Sequence, residues 1–338
     1  MKKETGADKS IWKKGIPLPF FLLICCVLTA AILYLNNQVK SPVADANVQS
    51  PVLVQTASSI RNKGDLTSHI LMSKMEDESP ALQNVKSKIT GYIEKEKQKN
   101  SFSKISVYLL KQNSGEWTGI NADEGFKSSG YLRLAILITY LKEAESSVSL
   151  LDKNLAFTGT IGHRRVSTSL LEPARQYPIR ELLTDMMAND DSTAKWLLAD
   201  NMRREAFEKV YADLHMAIPD LRQRKFSIST GEYSKFLEVL YNATYLSKSD
   251  SEFALQLLSN NAERTGMLRQ LPAEVVALHR IGKKCVADKC DLRESGIVYY
   301  DDDPYILTVF AEGSNSTELE NMASEISKLA YDQISGTR

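Results

Sequence analysis

An excess of either charge is missing from this sequence, whose 42 Lys and Arg balance 42 Asp and Glu over 338 residues. Nucleic-acid binding by bulk electrostatics is thereby excluded, since a duplex-binding domain normally gathers a basic excess on one face. Cysteine and histidine are scarce, with four of each. Four cysteines cannot make a disulfide scaffold in a chain this long, and neither Cys-x-x-Cys nor a zinc-finger spacing occurs. The histidines, His69, His163, His215 and His279, are scattered and form no His-Glu-x-x-His, so neither a metal nor another cofactor is expected. Internal repeats and low-complexity tracts are absent as well. What remains is an ordinary globular composition, 43% hydrophobic and 25% charged, with room for a substantial core.

One long apolar run breaks that average. Residues 16–35 carry no charge, and Lys2, Lys3, Lys9, Lys13 and Lys14 precede them. Such a run, at about 1.5 Å per residue, covers about 30 Å, the thickness of a bilayer's hydrocarbon core, so it reads as a single-pass transmembrane signal-anchor helix. The lysines keep residues 1–15 in the cytoplasm as a basic tail and put everything after the span outside. A cleaved signal peptide is the competing reading, with Ala44-Asp45-Ala46 as its small-x-small site. Cys25 and Cys26, inside the run, read as buried apolar thiols. Residues 36–80, polar and interrupted by Pro42, Pro51 and Pro80, read as a flexible extracytoplasmic linker. Residues 81–338 are then one folded domain.

Within that domain, Leu82, Val85, Ile89 and Ile93 predict a helix. Strands over 105–110 and 117–120 form a hairpin about Asn113-Ser114-Gly115. Helices follow over 131–144, 179–187, 192–202, 205–214, 231–243 and 251–258. Strands over 275–281, 296–300 and 305–311 and a helix over 316–334 complete the pattern, with 283–294 read as a polar loop. Strands at both ends with helices between them predict an α+β fold, an α/β/α sandwich. Both ends of the domain would build its five-stranded antiparallel sheet, and an all-α subdomain beside it would leave a ligand cleft between the two.

This order and its local sequences resemble the class A β-lactamase and penicillin-binding family of serine acyl-transfer enzymes. The likeness is carried by Ser106-Val107-Tyr108, and by Gly119-Ile120-Asn121-Ala122-Asp123-Glu124-Gly125-Phe126 leading to Leu137-Ile138-Thr139-Tyr140-Leu141-Lys142. Further matches are Glu181-Leu182-Leu183 through Asp190-Asp191-Ser192-Thr193-Ala194, and His279-Arg280-Ile281-Gly282 with Gly296-Ile297-Val298-Tyr299. The resemblance covers residues 82–334 and implies a β-lactamase/transpeptidase-like fold.

The family's three motifs fall on altered residues. Ser-x-x-Lys, nucleophile and base, aligns with Gly130-Tyr131-Leu132-Arg133. Glycine has no nucleophile, and arginine does not lose its proton in proteins. Ser129, with Ser128 beside it, is the nearest fallback nucleophile, and it lacks a lysine three residues on. Ser-Asp-Asn aligns with Asp190-Asp191-Ser192, which either keeps a chemical role or caps the following helix. Lys-Thr-Gly aligns with Arg280-Ile281-Gly282, where the charge and the bare backbone stay and the hydroxyl goes, and His279 just before it reads as a strand residue flanking the site. No deacylating Glu-x-x-x-Asn loop is found; Glu238 to Asn242 fits the letters inside an amphipathic helix.

Binding can outlast such losses. The resemblance implies that Gly130 still offers its backbone N–H, and with Arg133 and Arg280 the site would hold an anion such as a peptide carboxylate. Alternatively, Arg133 pairs with Asp190 or Asp191 and fills the site. In an outward-facing domain Cys285 and Cys290 either form a disulfide or stay free. The expected function is a membrane-anchored extracytoplasmic pseudoenzyme, a cell-envelope binding or interaction module for a cell-wall peptide or an envelope protein. The alternatives are a serine hydrolase acting on β-lactams or cell-wall peptides through a displaced serine, and a purely structural surface-presenting domain.

Overall fold

Apolar residues at helical spacing make α1 (Gln83–Lys97), in which Val85, Ile89 and Ile93 are buried. β1 (Lys104–Lys111) and β2 (Trp117–Ile120) follow as the expected hairpin, then the short β3 (Phe126–Lys127). A 3-10 turn at Ser129–Tyr131 opens into α2 (Leu132–Ala144), buried on every side from Leu132 to Leu141. A helix so uniformly apolar is one that runs through the middle of a subdomain. Strands β4 (Asn154–Phe157), β5 (Thr160–Ile161), β6 (Arg164–Arg165) and β7 (Arg175–Pro178) come next, in a stretch where no element was expected. Helices α3 (Ile179–Ala188), α4 (Ser192–Asn201) and α5 (Arg204–Asp213) precede β8 (Ser227–Ile228), which pairs with β3. The chain then runs through α6 (Thr230–Tyr241), α7 (Lys248–Ser259), β9 (Val276–Val286), β10 (Lys289–Tyr299), β11 (Tyr305–Gly313) and α8 (Ser316–Ile334).

This computed structural model describes residues 66–67, 74–127, 129–161, 164–165, 169–221, 226–259, 264–300 and 303–336. The basic tail, the apolar run over 16–35 with Cys25 and Cys26, most of the linker, His69, His163 and Ser128 lie outside the described residues. Among the described residues no helix is long and apolar enough to cross a membrane.

The main sheet has five antiparallel strands in the order β2-β1-β11-β10-β9. The first strand of the domain thus pairs with the last, Val107 opposite Val309. On the outer face Ile105, Val107, Leu109, Leu307 and Val309 pack into one cluster with residues of α1 and α8. On the inner face Tyr108, Leu110, Ile306 and Phe310 join the core of the helical subdomain. Burial on both faces accounts for the near-continuous apolar run of β1, and the layering is the α/β/α sandwich expected. Hydroxyls tie the sheet to α6: Thr308 Oγ1 lies 2.7 Å from Ser234 Oγ and 2.5 Å from Ser295 Oγ.

Three expectations need correction. The polar loop over 283–294 is strand: β9 and β10 run on into a ribbon closed at Ala287-Asp288, with Cys285 directly opposite Cys290 and bonded to it. A ribbon projecting beyond the core meets water on both sides, so its charges report exposure and not a loop. The linker is fixed before its expected end at residue 80. Met75 N donates to Gly115 O and Ser79 N to Trp117 O, both at 2.9 Å, and Trp117 Nε1 donates to Met75 O at 3.0 Å. His279, expected to flank the site, faces the outer side, where Nδ1 lies 2.7 Å from the buried Glu294 carboxylate.

Candidate functional site

The end of α3 organises the site. The last carbonyls of a helix lack partners within it, and cations there also meet the negative end of its dipole. Arg133 of α2 donates from Nε to Met186 O at 3.3 Å, and Arg280 of β9 from Nη1 to Met187 O at 2.5 Å. Asp190, just past the helix, adopts a left-handed backbone with φ 53°. Its carboxylate meets both guanidiniums, lying 3.0 Å from Arg133 Nη2 and bonded to Arg280 Nη2. Arg133 Nη2 also donates to Asp190 O at 2.8 Å and to Ser192 Oγ at 3.3 Å. Asp191 points elsewhere: it caps α4, accepting from Thr193 N at 2.6 Å and Ala194 N at 3.0 Å. Of the two readings for this pair, Asp190 takes the ion pair and Asp191 the cap.

A third guanidinium completes the cluster, and the sequence reading missed it. Arg293 of β10 stands opposite Gly282 of β9. Its guanidinium passes between Gly282 and Gly130, close enough that a Cβ added to Gly130 would overlap Nη1. A Cβ on Gly282 would lie 3.1 Å from Nη2. Arg293 Nε is 3.1 Å from the Asp291 carboxylate, and its guanidinium carbon is 5.7 Å from the centroid of the Tyr131 ring. The signal for Arg293 was strand alternation, one long cation between the buried Leu292 and Glu294 and facing a glycine. A loop over 283–294 carries no such alternation, and only the strand register brings Arg293 to the site.

Lys195 is a second omission. It sits in the first turn of α4, three residues after Ser192, and is 2% exposed. Burial, and then the charges of Arg133 and Arg293, lower its pKa from 10.5 to about 7. Burial followed by the neighbouring Arg280 likewise lowers Arg133 to about 10, which leaves it protonated at neutral pH. Burial lowers Arg280 as well, against the pull of Asp190, and raises Tyr233, which keeps its phenol proton.

These groups leave little space. The pocket lined by Gly130, Tyr131, Arg133, Asp190, Tyr233, Arg280, Gly282 and Arg293 holds about 30 Å³, room for about two waters. Ile281 does not line it; the side chain packs on the outer-face cluster, so its missing hydroxyl is not what shapes this pocket. Ser129 is placed by its backbone alone, in the turn before α2. Gly130, Arg133, Asp190, Arg280 and Gly282 are therefore brought together, while Ile281 and Asp191 are turned away. The arrangement can balance the charge of a small anion, and it holds no nucleophile at Gly130.

A family model described as the beta-lactamase enzyme family matches residues 84–334. Among curated proteins no match is found. Among solved structures, a beta-lactamase from Chitinophaga pinensis is 17% identical with a TM-score of 0.64, over 74% of this chain and 99% of that one. The TLA-1 extended-spectrum beta-lactamase is 16% identical with a TM-score of 0.66, over 75% and 99%. PBP-A is 14% identical with a TM-score of 0.66, over 78% and 100%. At such identities the structural likeness speaks for the fold alone.

Proposed function

The chain belongs to the beta-lactamase enzyme family, and from that premise we propose that it has given up serine acyl transfer and works as a membrane-anchored, extracytoplasmic binding module. One observation carries the reading: the volume that a nucleophile on residue 130 would need is taken by the Arg293 guanidinium. A nucleophile missing from an acyl-transfer site typically costs on the order of 10⁴–10⁶ in rate. Here the acyl group would also have to enter a pocket of about 30 Å³. Anchoring rests on the apolar run over 16–35 and the lysines before it.

A second reading rests on Ser192 and Lys195. Residues three apart on a helix share a face, and burial brings Lys195 to about 7, within the range of a general base. To act, Nζ must leave the Trp196 ring, 4.4 Å away, and Ser192 Oγ must leave Arg133 Nη2 at 3.3 Å. The Lys195 Nζ would take the Ser192 proton as Oγ bonds to a carbonyl carbon; the acyl C–N bond would then break, its nitrogen taking the proton back. Water, giving a proton to Nζ, would then attack the ester carbonyl, and Ser192 Oγ would take that proton as its C–O bond to the acyl group breaks.

The test incubates the full chain with a fluorescent penicillin, follows intact mass, and measures nitrocefin hydrolysis alongside. No adduct and no turnover are expected. An adduct on Ser129 overturns the pseudoenzyme reading in favour of a displaced serine, and one on Ser192, lost in Lys195→Met, in favour of the second reading.

A further inference from the structure

A second recess lies beyond Arg293, and it is open where the first is closed. This cleft, of about 1060 Å³, runs between the disulfide-closed β9–β10 ribbon on one side and the start of β1 and end of β11 on the other. Phe102, Val286 and Cys290 give it an apolar wall, and Val286 is 62% exposed. Val286 stands at the lip of this concave surface, where an apolar group in the cleft would meet it.

The charges around the cleft differ from those of the old pocket. Lys127, Lys284 and Lys289 line it, as do Asp288, Asp291 and Glu312. Asp291 is engaged by Arg293 at 3.1 Å. Lys284 stands opposite Asp291 across the ribbon and attracts the same carboxylate; among the described residues Lys127, Lys289, Asp288 and Glu312 make no ion pair, whereas Arg133 and Arg280 share Asp190. Charges of both signs around an apolar wall complement a ligand that carries both signs on an apolar body. The volume exceeds the roughly 300 Å³ at which ligand pockets begin, so a single amino acid would leave most of it unfilled.

We infer that this cleft binds a short zwitterionic peptide, its carboxylate facing the lysines, its ammonium facing Asp288 and Glu312, and an apolar side chain against Val286. The inference rests on reading the domain as a binding module, and it moves the binding site from the collapsed pocket to the ribbon. The ribbon's disulfide holds one wall of the cleft in place.

The test is calorimetric titration of the full chain with the tripeptide Ala-Phe-Ala in four forms: free, N-acetylated, C-amidated and blocked at both ends. The free form is expected to bind about tenfold more tightly than either singly blocked form. The paired substitution Lys284→Glu and Lys289→Glu, at exposed positions, is expected to lower its affinity at least tenfold. Lys209→Glu, an exposed substitution on α5, is expected to leave that affinity unchanged. Equal affinity for all four forms, or no binding of any, overturns the inference and leaves the outcome of the penicillin and nitrocefin test untouched. Loss of binding in Arg133→Ala with none in the lysine pair also overturns it, and returns the ligand to the old pocket. Acylation of the chain by penicillin would instead remove the reading on which the inference stands.

Discussion

The guanidinium of Arg293 and the bare Cα of Gly130 compete for one volume. In Gly130→Ser the arginine must swing aside, an overpacking that we expect to cost about 1 kcal/mol because the obstacle is the end of a flexible side chain. Arg293→Ala in the same chain should recover most of the loss. A double-mutant cycle by urea denaturation reads the coupling directly; strictly additive effects would show that the two groups do not compete.

Asp190 is the carboxylate shared by two buried guanidiniums, Arg133 and Arg280, which are 5% and 7% exposed. Asn tolerates the left-handed backbone at this position, so Asp190→Asn removes charge without adding strain. The expected loss of stability is about 2 kcal/mol, less than for a fully buried pair because the Asp190 side chain is 62% exposed. Added salt should return part of it. A variant as stable as the parent at low ionic strength would mean that the pair contributes nothing.

Lys195 makes stability depend on alkaline pH. Its folded pKa, about 7, lies below the ordinary 10.5, so between these values the unfolded chain holds a proton that the folded chain has released. Stability must therefore rise as pH goes from about 7 to about 10.5, and the cost of burying the amine is complete below pH 7. Lys195→Met should stabilise the protein by a few kcal/mol at pH 6 and by little at pH 10. Chemical denaturation at both pH values checks this, and an equal gain at the two would refute the assignment.

Reduction of Cys285–Cys290, which are separated by five positions, is expected to cost about 2 kcal/mol from loop-closure entropy. The effect should stay local. Amide exchange should accelerate over 283–291, and the register of Val107 with Val309 should remain protected. Unchanged exchange in the ribbon would show that its pairing needs no covalent support.

How much of this was legible in advance depended on range. The helix α8 has the bounds its apolar period predicted, Ser316–Ile334, because that signal is carried entirely by residues three and four apart. Asp191 as the cap of α4 was readable for the same reason. Arg293 was not, since its significance comes from a glycine across the ribbon and another at the head of α2. Lys195 was passed over because Ala194, Leu197 and Leu198 describe a buried face well enough without it, and only packing places its amine among arginines. The choice between Asp190 and Asp191 turned on one backbone angle, which no side-chain pattern announces.

The strip formed by residues 74–80 lies along an edge of the main sheet. β2 is an outermost strand of the main sheet; Ser79 N donates to Trp117 O, and Gly119 N donates to the Glu78 carboxylate at 3.0 Å, so part of the row of groups that β2 would present to solvent is occupied. An uncovered strand of this kind is a template for pairing with another chain. The stretch that leads out of the folded domain is thus also its guard against self-association, and a chain trimmed to begin at Ala81 would present an adhesive margin.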